Sequence, residues 1–122
     1  MKTIIAGSRS ISDYNTIVDA VHKSGFNITE VVSGAARGVD RLGEKWANSH
    51  GIPVRQVHAE WERYGKRAGY LRNEKMADYA NALIAVWDGQ SKGTEHMIRI
   101  ARAKGLKVYI FRTTPNITIS YS

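Results

Sequence analysis

Five short apolar segments rich in β-branched residues recur along the chain, at Lys2–Ala6, Ile28–Val32, Val54–Val57, Ala82–Trp87 and Lys107–Phe111. The stretches between them are each long enough for a helix, and glycines cluster where the apolar runs stop. Antiparallel neighbours need only a tight hairpin, whereas parallel neighbours need a crossover of a dozen or more residues. The pattern therefore predicts βαβ units, right-handed connections and helices on both faces of a parallel sheet. The expected fold class is α/β, a single Rossmann-like domain with a five-stranded parallel doubly wound sheet in the order 3-2-1-4-5. In such a sheet ligands bind outside the carboxyl ends of the strands, beside the point where the strand order reverses. Here that point lies between strands one and four, which selects Gly7-Ser8-Arg9 and Asp88 to Thr94.

The intervening segments read as helices. Asp13 to Lys23 places Ile17, Val18 and Val21 on one face, with Ser12 or Asp13 as N-cap and Gly25 as the stop. Val39, Leu42, Trp46 and Ala47 recur at helical spacing before Gly51. Leu71, Lys75, Met76 and Tyr79 are expected to share a face of the third long helix. Met97, Ile98 and Ala101 point inward from one over Thr94 to Lys104. His58 to Gly69 is a polar and aromatic connection expected to hold an irregular turn. Residues 1–112 form the expected domain. Residues 113–122 alternate Ile117, Ile119 and Tyr121 with Thr118 and Ser120, the pattern of an edge strand or an interface segment.

At 122 residues the chain fits one compact domain, so a single core must carry any function. It has no cysteine, which excludes a disulfide framework, a thiolate nucleophile and a Cys-built zinc site. The apolar run in Met1 to Gly7 is too short for a signal-peptide core, so a soluble, cytoplasmic protein with no membrane partner is expected. Eighteen Lys and Arg against 11 Asp and Glu give a net charge of +7, and no acid follows Glu95. That balance suits an anionic partner, and it equally suits a merely solvated basic face. The histidines, His22, His50, His58 and His96, lack metal-ligand spacing, so neither a metal nor a cofactor is expected.

Three predicted strand ends open into small-residue loops just before a helix: Gly7-Ser8-Arg9-Ser10, Ser33-Gly34-Ala35-Ala36-Arg37-Gly38 and Gly89-Gln90-Ser91-Lys92-Gly93-Thr94. Glycine lets backbone N–H groups approach an anion, and a helix N-terminus adds unpaired donors and a favourable dipole. One such loop is an ordinary tight turn. Three on one sheet edge, each with Ser, Thr, Arg or Lys, point to an anion site. The chain has neither G-x-x-x-x-G-K-[ST] nor G-x-G-x-x-G, so neither a P-loop NTPase nor an ordinary dinucleotide-binding oxidoreductase is supported.

The segment from Ala59 to Asn73 is too polar for a core and too aromatic for a linker. Trp61 or Tyr64 is placed to cover a base or to close the core, while Arg72 is the expected phosphate contact. Candidate acids are Asp40, Asp88, Glu60 and Glu95. Asp40 and Glu95 stand in first helical turns, where stabilising the helix dipole explains them as well as chemistry does. Asp88, at a strand terminus, is placed to accept a ribose hydroxyl.

Taken together, Gly7-Ser8-Arg9, Val32 to Asp40, Glu60-Trp61 through Lys66, Ala68-Gly69 with Arg72-Asn73 and Met76, and Trp87-Asp88-Gly89 with Ser91 to Thr94 resemble the YspA-like, YpsA-related branch of the SLOG superfamily. The resemblance covers about residues 3 to 111. It implies a Rossmann-like domain of bacteria or their phages that binds a nucleotide or a nucleotide-derived ligand and forms homo-oligomers. With the three loops and the Ala59 to Asn73 segment, this makes the expected ligand contacts Gly7, Ser8, Arg9, Ser33, Gly34, Ala36, Arg37, Gly38 and Asp40, Trp61, Tyr64, Arg72 and Asn73, and Asp88, Gly89, Ser91, Lys92, Gly93 and Thr94. Related branches include the DprA proteins, which make nucleic acid a less favoured alternative partner, and the Lonely Guy phosphoribohydrolases, whose chemistry here would have Arg72 orienting the phosphate and Glu95 or Asp88 assisting loss of the base. The hydrolase loop has the form P-G-G-x-G-T-x-x-E. Here Gln90 and Ser91 stand in its lead, Met97 replaces the final Glu, and Glu95 is displaced by about 200° around the helix. Binding is therefore better supported than N-glycoside hydrolysis.

Overall fold

In the computed structural model, residues 1–113 are described, and they form the expected α/β layers. The strands are β1 (Lys2–Gly7), β2 (Glu30–Ser33), β3 (Val54–Gln56), β4 (Ala82–Trp87) and β5 (Lys107–Arg112). All pair in parallel in the order β3-β2-β1-β4-β5, as the sequence predicts. The helices are α1 (Tyr14–Ser24), α2 (Val39–Ser49), the single turn α3 (Trp61–Tyr64), α4 (Ala68–Tyr79) and α5 (Lys92–Ala103).

The period of two along the central strands divides the core into halves. Ile4 and Ala6 of β1 and Leu83 and Ala85 of β4 pack with Val32, Met76 and Met97 under α4 and α5. Ile5, Ile84 and Val86 face the other way, against Ile17 of α1 and Val39 and Trp46 of α2. Both faces of the sheet are thus covered, which is why β1 and β4 read as continuous apolar runs rather than alternating ones.

Several boundaries and faces differ from the periodicity reading. In α1 the buried positions are Ile17 and Ala20, while Val18 is 37% exposed. A step of ~100° per residue carries Val18 off the face that Ile17 and Val21 share. In α4 the buried residues are Ala68, Asn73, Met76 and Ala77, and Lys75 lies outward. The apolar stripe there is carried by small side chains whose signal is weak. Strand β2 begins at Glu30, because parallel register with β1 pairs Lys2 with Glu30, and it extends to Ser33. Helix α5 starts at Lys92, two residues before Thr94, since Ser91 serves as N-cap with its Oγ accepting from the Thr94 N–H. Asp13 caps α1, and Gly25 ends it in the left-handed conformation at φ 68°. The connection before α4 holds α3 and a tight turn over Gly65–Arg67. The edge strand or interface expected of residues 113–122 lies outside the described residues beyond Thr113, whose N–H donates to Trp87 O.

Candidate functional site

The carboxyl ends of β1, β2 and β4 release three loops that meet at the switch point, joined by hydrogen bonds between loops. Ser8 follows β1 and is 1% exposed. Its Oγ accepts the Asp88 N–H at 3.2 Å, and its carbonyl accepts the Val39 N–H that begins α2 at 3.4 Å. Ser8 is therefore the strut that fastens the first loop to the other two. Gly38 packs against it: at φ 75° a Cβ would lie 2.5 Å from Ser8 O, so a side chain there would separate the loops.

Between these loops and α4 lies a cleft of about 380 Å³. The first loop lines it with Gly7, Ser8 and Arg9, the second with Ala36 and Asp40, and the third with Asp88, Ser91, Gly93 and Thr94. Helix α4 contributes Arg72 and Asn73. The structure thus brings eleven of the sequence-selected residues to one hollow. Ala6, Met76 and Met97, read from the sequence as core, also line the cleft and supply apolar wall.

Asp40 is the most perturbed group in the cleft. It is 5% exposed, and its Oδ2 accepts the Ala36 N–H at 3.1 Å. Burial pushes its carboxyl up to about 6; the Ala36 hydrogen bond and the nearby Arg72 charge oppose that rise, and Glu44 adds to it. The turn that presents Ala36 runs through Ala35, which has φ 61° and is the one non-glycine residue with positive φ among those described. An L-residue in that region costs about 1 kcal/mol, a local strain of the kind found at binding loops. The sequence offered no signal for it, since alanine has no preference for the left-handed region.

Arg72 is half-buried. Its Nη1 donates to Gly34 O at 3.0 Å and its Nε to Asn73 Oδ1 at 3.3 Å. Burial lowers its pKa, Asp40 works against that, and the Arg9 charge adds to it. Asn73, 4% exposed, donates through Nδ2 to Gly93 O at 3.4 Å and lies 3.1 Å from His96 Nδ1. Burial, with the charge of Arg99, holds His96 below its ordinary value, and its Nδ1 faces the Asn73 amide. That contact ties α4 to α5 and was not legible in the spacing.

The third loop is organised by its own carboxylate. Asp88 Oδ1 accepts the N–H groups of Gln90 at 2.8 Å and Ser91 at 2.9 Å, and these bonds hold the Asp88 carboxyl below the usual range. Ser91 Oγ takes the Thr94 N–H and lies 3.1 Å from Thr94 Oγ1. The Gln90, Ser91 and Thr94 N–H groups of this loop are thus engaged within the loop, and the Asp88 carboxylate stands beside them.

The other sequence-selected residues lie elsewhere. Gly34, Arg37 and Trp61 border a second hollow next to the first. Ser33 Oγ donates to Glu44 Oε2 at 2.6 Å and accepts the Ala35 N–H, which makes it a support for the turn. Gly89 lies against the guanidinium of Arg112. Lys92 and Glu95 are exposed in the first turn of α5, outside the residues lining either hollow, as is Tyr64. Among the described residues, no three His, Asp or Glu side chains cluster as a metal site would require. No helix among them is long and apolar enough to cross a membrane.

Residues 1–64 match the family model described as the YspA, cpYpsA-related SLOG family. The chain belongs to that family. SLOG membership agrees with the sheet order and with the loop blocks from which the resemblance was drawn. The chain is also 37% identical over 124 residues to the Gene 61 protein of Mycobacterium phage D29, covering 93% of this chain and 98% of that protein. No solved structure matches it significantly. The SLOG match spans the first two loops and α3; Arg72, Asn73 and the Asp88–Thr94 loop follow it in the chain.

Proposed function

We propose that the protein binds a nucleotide or nucleotide-derived ligand in the cleft at the carboxyl edge of its sheet. SLOG membership supports a nucleotide-related ligand in general terms. One observation carries the finer reading: loops from three separate strand ends meet around a single hollow that holds Arg9, Arg72, Asn73 and the buried Asp40. Arg72, aimed by Gly34 O, supplies charge-assisted donors to phosphate. Asp40 and Asn73 suit hydroxyl or base edges, and Met76 and Met97 give the apolar surface that a base or sugar needs. Binding rather than hydrolysis is favoured, because Glu95 lies outside the cleft and Asp88 is engaged by backbone donors.

The test is mass spectrometry of small molecules released when the purified protein is denatured. A nucleotide-like species is expected from the wild type and is lost from Arg72→Ala. Release of a free base from added nucleoside monophosphates, abolished by the same substitution, would instead establish an N-glycosidase.

A second reading has one observation in its favour. Trp61, Tyr64 and Tyr70 are exposed at 50%, 38% and 48% and are interleaved with Arg63, Lys66 and Arg67, the composition of a single-strand stacking surface. Binding of labelled single-stranded DNA that falls steeply with salt would support it. Self-association belongs to the same proposal and is read by light scattering.

A further inference from the structure

The second hollow, about 310 Å³, differs from the first in its charge. Arg9, Arg37 and Arg72 border it, together with His58 and Trp61, and no carboxylate is among its lining residues. The two hollows share Arg9, Ala36 and Arg72, so those residues form a common wall rather than the back of either. The inner cleft contains Asp40 and Asp88, and the Asp88 carboxylate already occupies the Gln90 and Ser91 donors. A phosphate drawn to this edge is therefore repelled from the β4 loop and attracted outward past Arg72.

The charge count sets the size of the anion. A single phosphate monoester brings about −1.5 to −2, which leaves a surplus against three guanidinium groups. A second phosphate closes that gap. Arg37 is exposed and stands beyond the shared wall, where only an extension past the first phosphate would reach it.

Resting on the nucleotide reading above, we propose that the ligand is a nucleoside diphosphate or longer polyphosphate, with its nucleoside in the inner cleft and its phosphates passing Arg9 and Arg72 into the outer hollow. Arg37 meets the terminal phosphate, and Trp61 forms the outer wall.

Titration calorimetry with the four ribonucleoside monophosphates, the four diphosphates and inorganic pyrophosphate tests this. For the base that binds, the diphosphate should exceed its monophosphate in affinity by about tenfold. Arg37→Ala should lower diphosphate affinity more than monophosphate affinity and so erase most of that advantage. Pyrophosphate should bind the wild type and quench its tryptophan fluorescence, a change missing in Trp61→Phe. Equal affinity for mono- and diphosphates, or an equal loss of both in Arg37→Ala, overturns the placement while leaving nucleotide binding intact. If no nucleotide binds but pyrophosphate does so through Arg37, the outer anion site stands and the nucleotide reading falls. Failure of both overturns both.

Discussion

Replacing Asp40 with Asn should stabilise the protein at neutral pH and change nothing in acid. The folded state holds this carboxyl at about 6 against an ordinary 3.8, chiefly through burial. Below the lower value the group is protonated in both folded and unfolded chains, and its full contribution to stability is present. As pH rises from about 4 to 6 the unfolded chain releases the proton first, so stability falls through that window. A difference of roughly two pKa units corresponds to about 3 kcal/mol. Asn keeps an oxygen to accept the Ala36 N–H and has no proton to lose. Urea unfolding at constant ionic strength, at half-unit steps from pH 4 to pH 8, measures the difference between variant and wild type. The gain for Asp40→Asn should grow from about 0.5 kcal/mol at pH 4 to about 3 kcal/mol at pH 7. A difference that stays flat across that range, or that is largest in acid, would refute the assignment of Asp40 as a buried carboxyl ionised at a cost.

Other substitutions test the scaffold. In Gly34→Ala the new Cβ would lie 2.8 Å from Asp40 Oδ2 and 3.0 Å from Arg72 Cδ, so Arg72 must shift. A loss of about 1–3 kcal/mol by chemical denaturation is expected, with ligand content falling as in Arg72→Ala. Ser91→Ala removes the α5 N-cap and should cost about 1 kcal/mol, read as a lower thermal midpoint. Glu95→Gln, exposed and outside the cleft, should retain the full complement of released ligand in the mass spectrum.

Much of the cleft was legible because its residues are announced by chain punctuation. Small-residue loops at the ends of β1, β2 and β4 can be read without coordinates, and the strand order then places them on one edge. Arg72 could be read as well, since a helix entering that edge must present its first turns there. What spacing could not distinguish is a hydroxyl or carboxylate turned to a ligand from one turned inward. Ser8 and Ser33, read from the sequence as ligand contacts, also fasten loops. Asp88 reads as a ribose acceptor, yet its Oδ1 closes its own turn. The choice depends on which backbone N–H groups are otherwise unpaired at that point, and this is a property of the folded loop.

The amino-acid order alone determined the layered parallel architecture, because strand-length apolar runs separated by helix-length amphipathic ones have few other ways to bury both faces of a sheet. It also determined which loops share an edge. Only the tertiary structure decided that Asp40 is buried among those loops, that Asp88 occupies donors a phosphate would use, and that Arg9 and Arg72 stand between two hollows. Burial, hydrogen-bond partners and electrostatic neighbours arise from segments far apart in the chain, so no local pattern carries them.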